Sequence, residues 1–252
     1  MHRPAQSVVR RKSGTMQATS DPQSLYAGYE EWKGWHRPFT FTDDDSRYFA
    51  GEMRGIDVAG KRVLEIGFGS GSFLAWARAR GAEVAGIEII ESLLEAARRE
   101  GVELIDPAIE DIAGDHAGQF DVIVAFDVFE HFPLDVVVSR LAAARTMLKP
   151  GGHLVLRFPN AQSPFGLPPQ NGDPTHRSAL SRSVFEQLCQ AIPFEFVRYT
   201  PSYRASGKGI AKRIVRGLRG ALRDGISWLL NFVYASNIPW DSVVVLVLRK
   251  PA

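Results

Sequence analysis

From residue 60 to about 160, short apolar runs alternate with amphipathic stretches. Val63, Leu64 and Ile66 make the first run. Residues 83–87 make the second, which ends at Glu88. Residues 102–105, 120–125 and 153–158 follow. The run Phe120-Asp121-Val122-Ile123-Val124-Ala125 is nearly all apolar, as a strand covered on both faces should be. Between these runs the apolar positions recur at helical spacing. Leu93, Leu94 and Ala97 share a face of a helix over 91–99, and a longer helix over 135–148 ends at Lys149-Pro150-Gly151-Gly152. Two more strands, 194–199 and 241–249, lie beyond. The pattern predicts an α/β fold: a doubly wound, mostly parallel sheet of seven strands.

Outside that region the pattern changes. Residues 1–24 read as a disordered basic tail, and residues 25–252 as one domain. Within it, 25–59 is a cap segment rich in aromatics (Tyr26, Tyr29, Trp32, Trp35, Phe39, Phe41), which either packs on the core or forms a lid; a short helix over 47–53 leads out of it. Residues 60–160 form the ligand-binding core, and 161–252 the substrate-side half. Residues 159–180, with five prolines, read as a long loop, more often functional than idle. A helix starts near Ser181 or Ser183, where Ser183 and Glu186 fit a capping box. Before the last strand, about 205–238, lies an insert with apolar Ile210, Ile214, Leu218, Leu222, Ile226, Leu229 and Val233 on one face. Lys208, Lys212, Arg216, Arg219 and Arg223 fall on another. It reads either as a helix packed on its own domain or a twin subunit, or as a contact with an anionic membrane surface or a phosphate-bearing substrate through residues 208–233.

The net charge is only +2, which argues against a nucleic-acid-binding polycation, yet residues 198–223 hold eight Lys/Arg and no acid. The single cysteine, Cys189, excludes an internal disulfide and fits the cytoplasm. The basic start of the chain lacks the apolar core of a signal peptide, and no apolar run reaches the roughly 20 residues of a membrane span. The six histidines show no close ligand spacing, so no metal is expected.

The chemistry concentrates in Val63-Leu64-Glu65-Ile66-Gly67-Phe68-Gly69-Ser70-Gly71-Ser72: a strand, a Gly-x-Gly-x-Gly turn, and a helix for which Ser72 is the expected N-cap. Glu88, ending the next strand, is placed to accept hydrogen bonds from ribose hydroxyls. Glu65 stands two residues before the first glycine. A carboxylate there opposes a pyrophosphate, whereas a ligand carrying an ammonium and a sulfonium can use it. The turn therefore favours S-adenosylmethionine over a nicotinamide dinucleotide.

With this turn, Glu88, the stretch 120–131 and Leu148-Lys149-Pro150-Gly151-Gly152 in that order, the chain resembles the class I S-adenosylmethionine-dependent methyltransferases. The resemblance implies a Rossmann-like sheet whose last strand is antiparallel, and S-adenosylmethionine as cofactor. It implies that Glu65, Gly67, Phe68, Gly69 and Gly71 line the methionine end, that Glu88 takes the ribose and that Ile89 packs on the adenine. Ile109 is expected to offer its backbone N–H and apolar surface, with Glu110 beside it. Phe126 and Asp127 are expected beside the methyl group. The family's Asp-Ala-Glu-Asp is Ala108-Ile109-Glu110-Asp111 here, so its first acid is missing.

A hydroxyl acceptor needs a base, and His131 and His176 are the candidates; Asp127 completes the expected catalytic group. His131 could equally brace its loop. The stretch Asp127-Val128-Phe129-Glu130 lacks the Pro-Pro of adenine methyltransferases, against a nucleic-acid substrate. The expected reaction is methyl transfer to oxygen of a small molecule or glycan, such as a lipid-linked glycan or quinone precursor. Nitrogen methylation and a non-catalytic binding subunit are the alternatives. A homodimer and a peripheral position at the inner membrane face are compatible with the sequence.

Overall fold

The strand-forming runs pair as their spacing predicts. In the computed structural model, which describes residues 37–204 and 209–252, the strands are β1 (Arg62–Ile66), β2 (Glu83–Ile87), β3 (Glu103–Leu104), β4 (Phe120–Phe126), β5 (Leu148–Pro159), β6 (Glu195–Pro201) and β7 (Val243–Arg249). They form one sheet in the order β3-β2-β1-β4-β5-β7-β6. Strands β1 to β5 run parallel, and β7 is antiparallel to both β5 and β6. This is the Rossmann-like methyltransferase sheet with its reversed last strand. Chain order reverses between β1 and β4, and the crevice beyond their carboxyl ends is where such sheets bind ligands.

Alternation along the strands splits the core into two layers. Leu64, Ile66, Ile123, Ala125, Leu154 and Leu156 face one layer; Val63, Val122, Val124 and Val155 face the other. Helices α1 (Asp43–Glu52), α2 (Ser72–Arg78) and α3 (Glu91–Arg99) contribute Phe49, Phe73, Trp76 and Leu93 to the second layer. The short α4 (Ile109–Ile112), α5 (Leu134–Met147) and α7 (Arg182–Ala191) contribute Ile109, Leu141 and Phe185 to the first.

Local sequence rules missed several boundaries. Helix α1 starts earlier than expected, because Thr42 and Asp45 form a reciprocal capping box. Ser72 does not cap α2: the N-cap is Gly71 at φ 70°, and Ser72 lies inside the helix, its Oγ 2.8 Å from that of Ser70. Ser181, not Ser183, caps α7, accepting from Val184 N at 3.3 Å; Glu186 pairs with Arg182 instead. The expected turn at Lys149-Pro150-Gly151-Gly152 belongs to β5, because Gly151 N and Gly152 O bond to Lys250 just past β7. The proline-rich loop is not all loop: a 3-10 turn at Pro164–Gly166 leads into α6 (Leu167–Gly172). Finally, α8 (Ile210–Val233) is one unbroken helix of 24 residues despite Gly217, Gly220 and Gly225.

Candidate active site

The glycine turn owes its shape to two facing side chains. Gly67 has φ 69°, and a Cβ there would lie 2.6 Å from Val128 Cγ2. Gly71 has φ 70°, and a Cβ would meet the Phe39 ring at 2.5 Å. Only glycine fits both positions. Phe39, itself at φ 56°, donates its N–H to Ser70 O at 2.7 Å, so this part of the aromatic segment packs on the turn. Tyr26, Tyr29, Trp32 and Trp35 lie outside the described residues.

Glu65 is 4% exposed, and its Oε2 has no hydrogen-bond partner. Burial, followed by the nearby Glu88 carboxylate, pushes its carboxyl well above the ordinary range. An ionised Glu65 needs a cation, which is what the ammonium of S-adenosylmethionine provides. Glu88 is tied to the turn: Oε2 accepts from Gly69 N at 2.9 Å, and Oε1 from Ile89 N at 2.7 Å and Ile90 N at 3.2 Å. Ile89 is 59% exposed, as a platform for a planar base requires. The donor set therefore fits the cofactor: an acid for the amino end, an acid for the ribose and an apolar face for the adenine.

Some expected contacts change. Phe68 is buried beside Gly86, so its backbone rather than its ring borders the turn. The Ile109 side chain is fully buried in the core, which leaves only its backbone for a ligand and corrects the expected apolar contact. Glu110 pairs with Arg140 Nε at 3.2 Å and braces α4 against α5. The Phe126 ring packs between Phe49 and Phe73, at centroid distances of 6.4 and 5.3 Å.

On the acceptor side, Asp127 has φ 57°, the conformation of a strained turn at the end of β4. Its carboxylate pairs with Arg157, and its N–H donates to Arg157 O at 2.9 Å. Arg157 also donates to Ser202 Oγ at 3.1 Å and lies 3.9 Å from buried Glu52. Glu52 accepts from Ser202 Oγ and, at 3.1 Å, from Tyr203 N. None of Arg157, Glu52 and Ser202 carried a motif, so pattern reading missed them.

The two candidate bases meet, although 45 positions separate His131 from His176. Their rings lie 4.7 Å apart, edge to face. The Thr175 hydroxyl donates to Asp173 Oδ1 and lies 2.8 Å from His131 Nδ1. With that proton spent on Asp173, Nδ1 of the neutral His131 ring is the donor and Nε2 holds the lone pair. The His176 Nδ1 lies 3.0 Å from Gln170 O, which can only accept, so its lone pair is also on Nε2. Burial alone would raise the Asp173 carboxyl, but hydrogen bonds from Thr175 hold it below its usual value. Buried Glu130 joins the cluster: one ligand atom each from Glu130, His131 and His176 lies within 4.8 Å of the others, near enough to share a divalent cation. Spacing along the chain concealed this grouping.

A reversed last strand and a glycine turn between two acids fit a class I S-adenosylmethionine-dependent methyltransferase. Residues 39–199 match the model of the methyltransferase-domain family, about two thirds of the chain, and the protein belongs to that family. The chain is 40% identical over 107 residues to a ubiquinone biosynthesis O-methyltransferase of Marinobacter nauticus, covering 39% of this chain and 44% of that protein. It is 35% identical over 104 residues to the enzyme of the same name from Acinetobacter baylyi, covering 38% and 43%. It thus spans less than half the length of the curated relatives it matches. Among solved structures, a SAM-dependent methyltransferase from Archaeoglobus fulgidus superposes with a TM-score of 0.56 at 17% identity, covering 91% of this chain and all of that one. A Burkholderia thailandensis 1,6-didemethyltoxoflavin-N1-methyltransferase with S-adenosylhomocysteine gives 0.57 at 15% identity, covering 91% and 85%. A [4+2]-cyclase gives 0.57 at 19% identity, covering 90% and 93%, so the fold by itself does not fix the reaction.

Proposed function

We propose that the protein transfers a methyl group from S-adenosylmethionine to a hydroxyl oxygen of a small molecule or glycan. The single observation that carries this reading is the pair His131 and His176, whose Nδ1 atoms are fixed as donors by Thr175 and Gln170. A nitrogen acceptor needs only a lone pair; a hydroxyl needs a base, and this pair supplies one. The curated relatives named above are O-methyltransferases of ubiquinone biosynthesis, which supports an oxygen acceptor and makes a quinone precursor one candidate.

When bound, S-adenosylmethionine supplies the methyl group, whose bond to sulfur breaks as the acceptor oxygen forms its own. Glu65 and Glu88 would hold the amino end and the ribose of the cofactor and aim the methyl at the acceptor. Phe49, Phe73 and Phe126 exclude water from beneath the site. The histidine nearest the acceptor takes the hydroxyl proton on Nε2, while the Asp173 carboxylate, through Thr175, steadies the charge that forms on His131. Asp127, paired with Arg157, would stand after β4 beside the methyl group.

The test is a labelled-methyl screen of cell extracts, followed by kinetics on the acceptor it finds. His131→Ala and His176→Ala should bind S-adenosylmethionine as the wild type does, and at least one should lower kcat by about 10²–10⁴-fold. If both turn over at the wild-type rate, no histidine base operates and nitrogen methylation becomes the better reading.

A further inference from the structure

Helix α8 is mounted backwards. In a helix that packs on its own domain, the apolar face turns inward. Here the edge turned inward is polar. Gly220, Asp224, Ser227 and Asn231 follow one another at helical spacing. Arg204 donates to Gly220 O at 3.2 Å and to Asp224 at 2.9 Å, while both carboxylate oxygens of Asp241 accept from it. Asn231 Oδ1 accepts from Trp240 Nε1 at 2.9 Å, and its amide donates to Ile238 O at 3.1 Å. The apolar face therefore points away from the domain. Leu218 is 67% exposed, Trp228 68% and Phe232 73%, and Ile210, Ile214, Leu222, Leu229 and Val233 are exposed with them. A helix of this length presents a strip about 36 Å long.

We infer that this strip is a docking surface for an anionic lipid membrane, on which α8 lies flat. Charge decides the occupant. Arg219 and Arg223 are exposed along one flank of the strip, beside Leu222 and Ile226. The sole acid of α8, Asp224, is engaged by Arg204. A second copy, face to face, would bring two arginine rows together with no acid of α8 to meet them, whereas anionic headgroups meet them directly. No described helix is long and apolar enough to cross a membrane, so α8 would lie in the interface. Beside the strip, Phe165, from the segment after β5, lines a cavity of ≈ 320 Å³ together with Arg223, Ile226 and Trp240.

This surface stands whether or not the histidines act as bases, and its test does not involve turnover. The whole chain is floated with phosphatidylcholine vesicles with and without phosphatidylglycerol, at low and high salt, and its mass in solution is measured by sedimentation. The wild type should float with the phosphatidylglycerol vesicles and be released by salt. Leu218→Glu with Phe232→Glu should reduce recovery by at least about tenfold, and Arg219→Glu with Arg223→Glu should remove the dependence on phosphatidylglycerol. S-adenosylmethionine binding by each variant reports that it has folded. Wild-type recovery that is absent, or indifferent to phosphatidylglycerol, overturns the inference. So does a wild-type dimer that Phe232→Glu dissociates, which would assign the strip to a second copy.

Discussion

Glu65 Oε2 has no hydrogen-bond partner in a buried position, which suits a cationic ligand better than a pyrophosphate. A buried carboxyl whose pKa is raised holds its proton to higher pH than usual, and a cationic ligand would favour its ionised form. The sign for stability follows. Below the ordinary value of 4.5, folded and unfolded chains both hold the proton. Above it the unfolded chain loses the proton first, so ligand-free stability falls as pH rises towards the folded value. Glu65→Gln should flatten that fall, seen as a melting temperature less sensitive to pH. Glu88→Ala removes an acceptor from Gly69, Ile89 and Ile90 as well as from the ribose, and should weaken S-adenosylmethionine binding by about 1–3 kcal/mol in calorimetry. Wild-type affinity in that variant would remove Glu88 from the ribose site. The place of both glutamates beside the glycine turn was legible in the sequence, because each stands at a fixed distance from a glycine turn or strand end. Arg157, Glu52 and Ser202 were not: they come from β5, α1 and the residue after β6, and only the folded sheet brings them to Asp127.

At the scale of elements, what was legible was periodicity, and what was not was the partner. The apolar runs placed the central strands because a strand covered on both faces has few alternatives, and the half-buried edge strands β3 and β6 followed from shorter apolar runs. Caps were read less well, since neighbouring serines satisfy the same local rule and tertiary contacts choose between them. Ser183 Oγ lies 2.9 Å from Gln162 Nε2 as an acceptor, which leaves Ser181 to cap α7. Ser181→Ala should therefore lower stability by about 1 kcal/mol, whereas Ser183→Ala should change it by less, both measured by urea unfolding. The amphipathic pattern of α8 was equally plain, but its direction was not. Periodicity identifies an apolar face without saying whether core, copy or membrane covers it; the contacts of Arg204 and Asn231 turn that face outward.

For the whole molecule, the carboxyl ends of the parallel strands gather both candidate halves of the site. Those of β1 and β2 bring Glu65 and Glu88 together, and the segments after β4 and β5 bring His131 to His176. Sequence motifs point to the first half, because Glu65, the glycine turn and Glu88 lie close along the chain. They describe the acceptor half poorly, because its parts come from segments more than forty residues apart. The central claim is that the glycine turn seats a cationic cofactor through Glu65. Isothermal titration of S-adenosylmethionine, repeated in buffers of different ionisation heat, tests it most directly. The account predicts release of a proton on binding in the pH range between the ordinary 4.5 and the raised folded value of Glu65, loss of that release together with about 1–3 kcal/mol of affinity in Glu65→Gln, and no competing affinity for NAD. Preference for NAD, or wild-type affinity in Glu65→Gln, would contradict it.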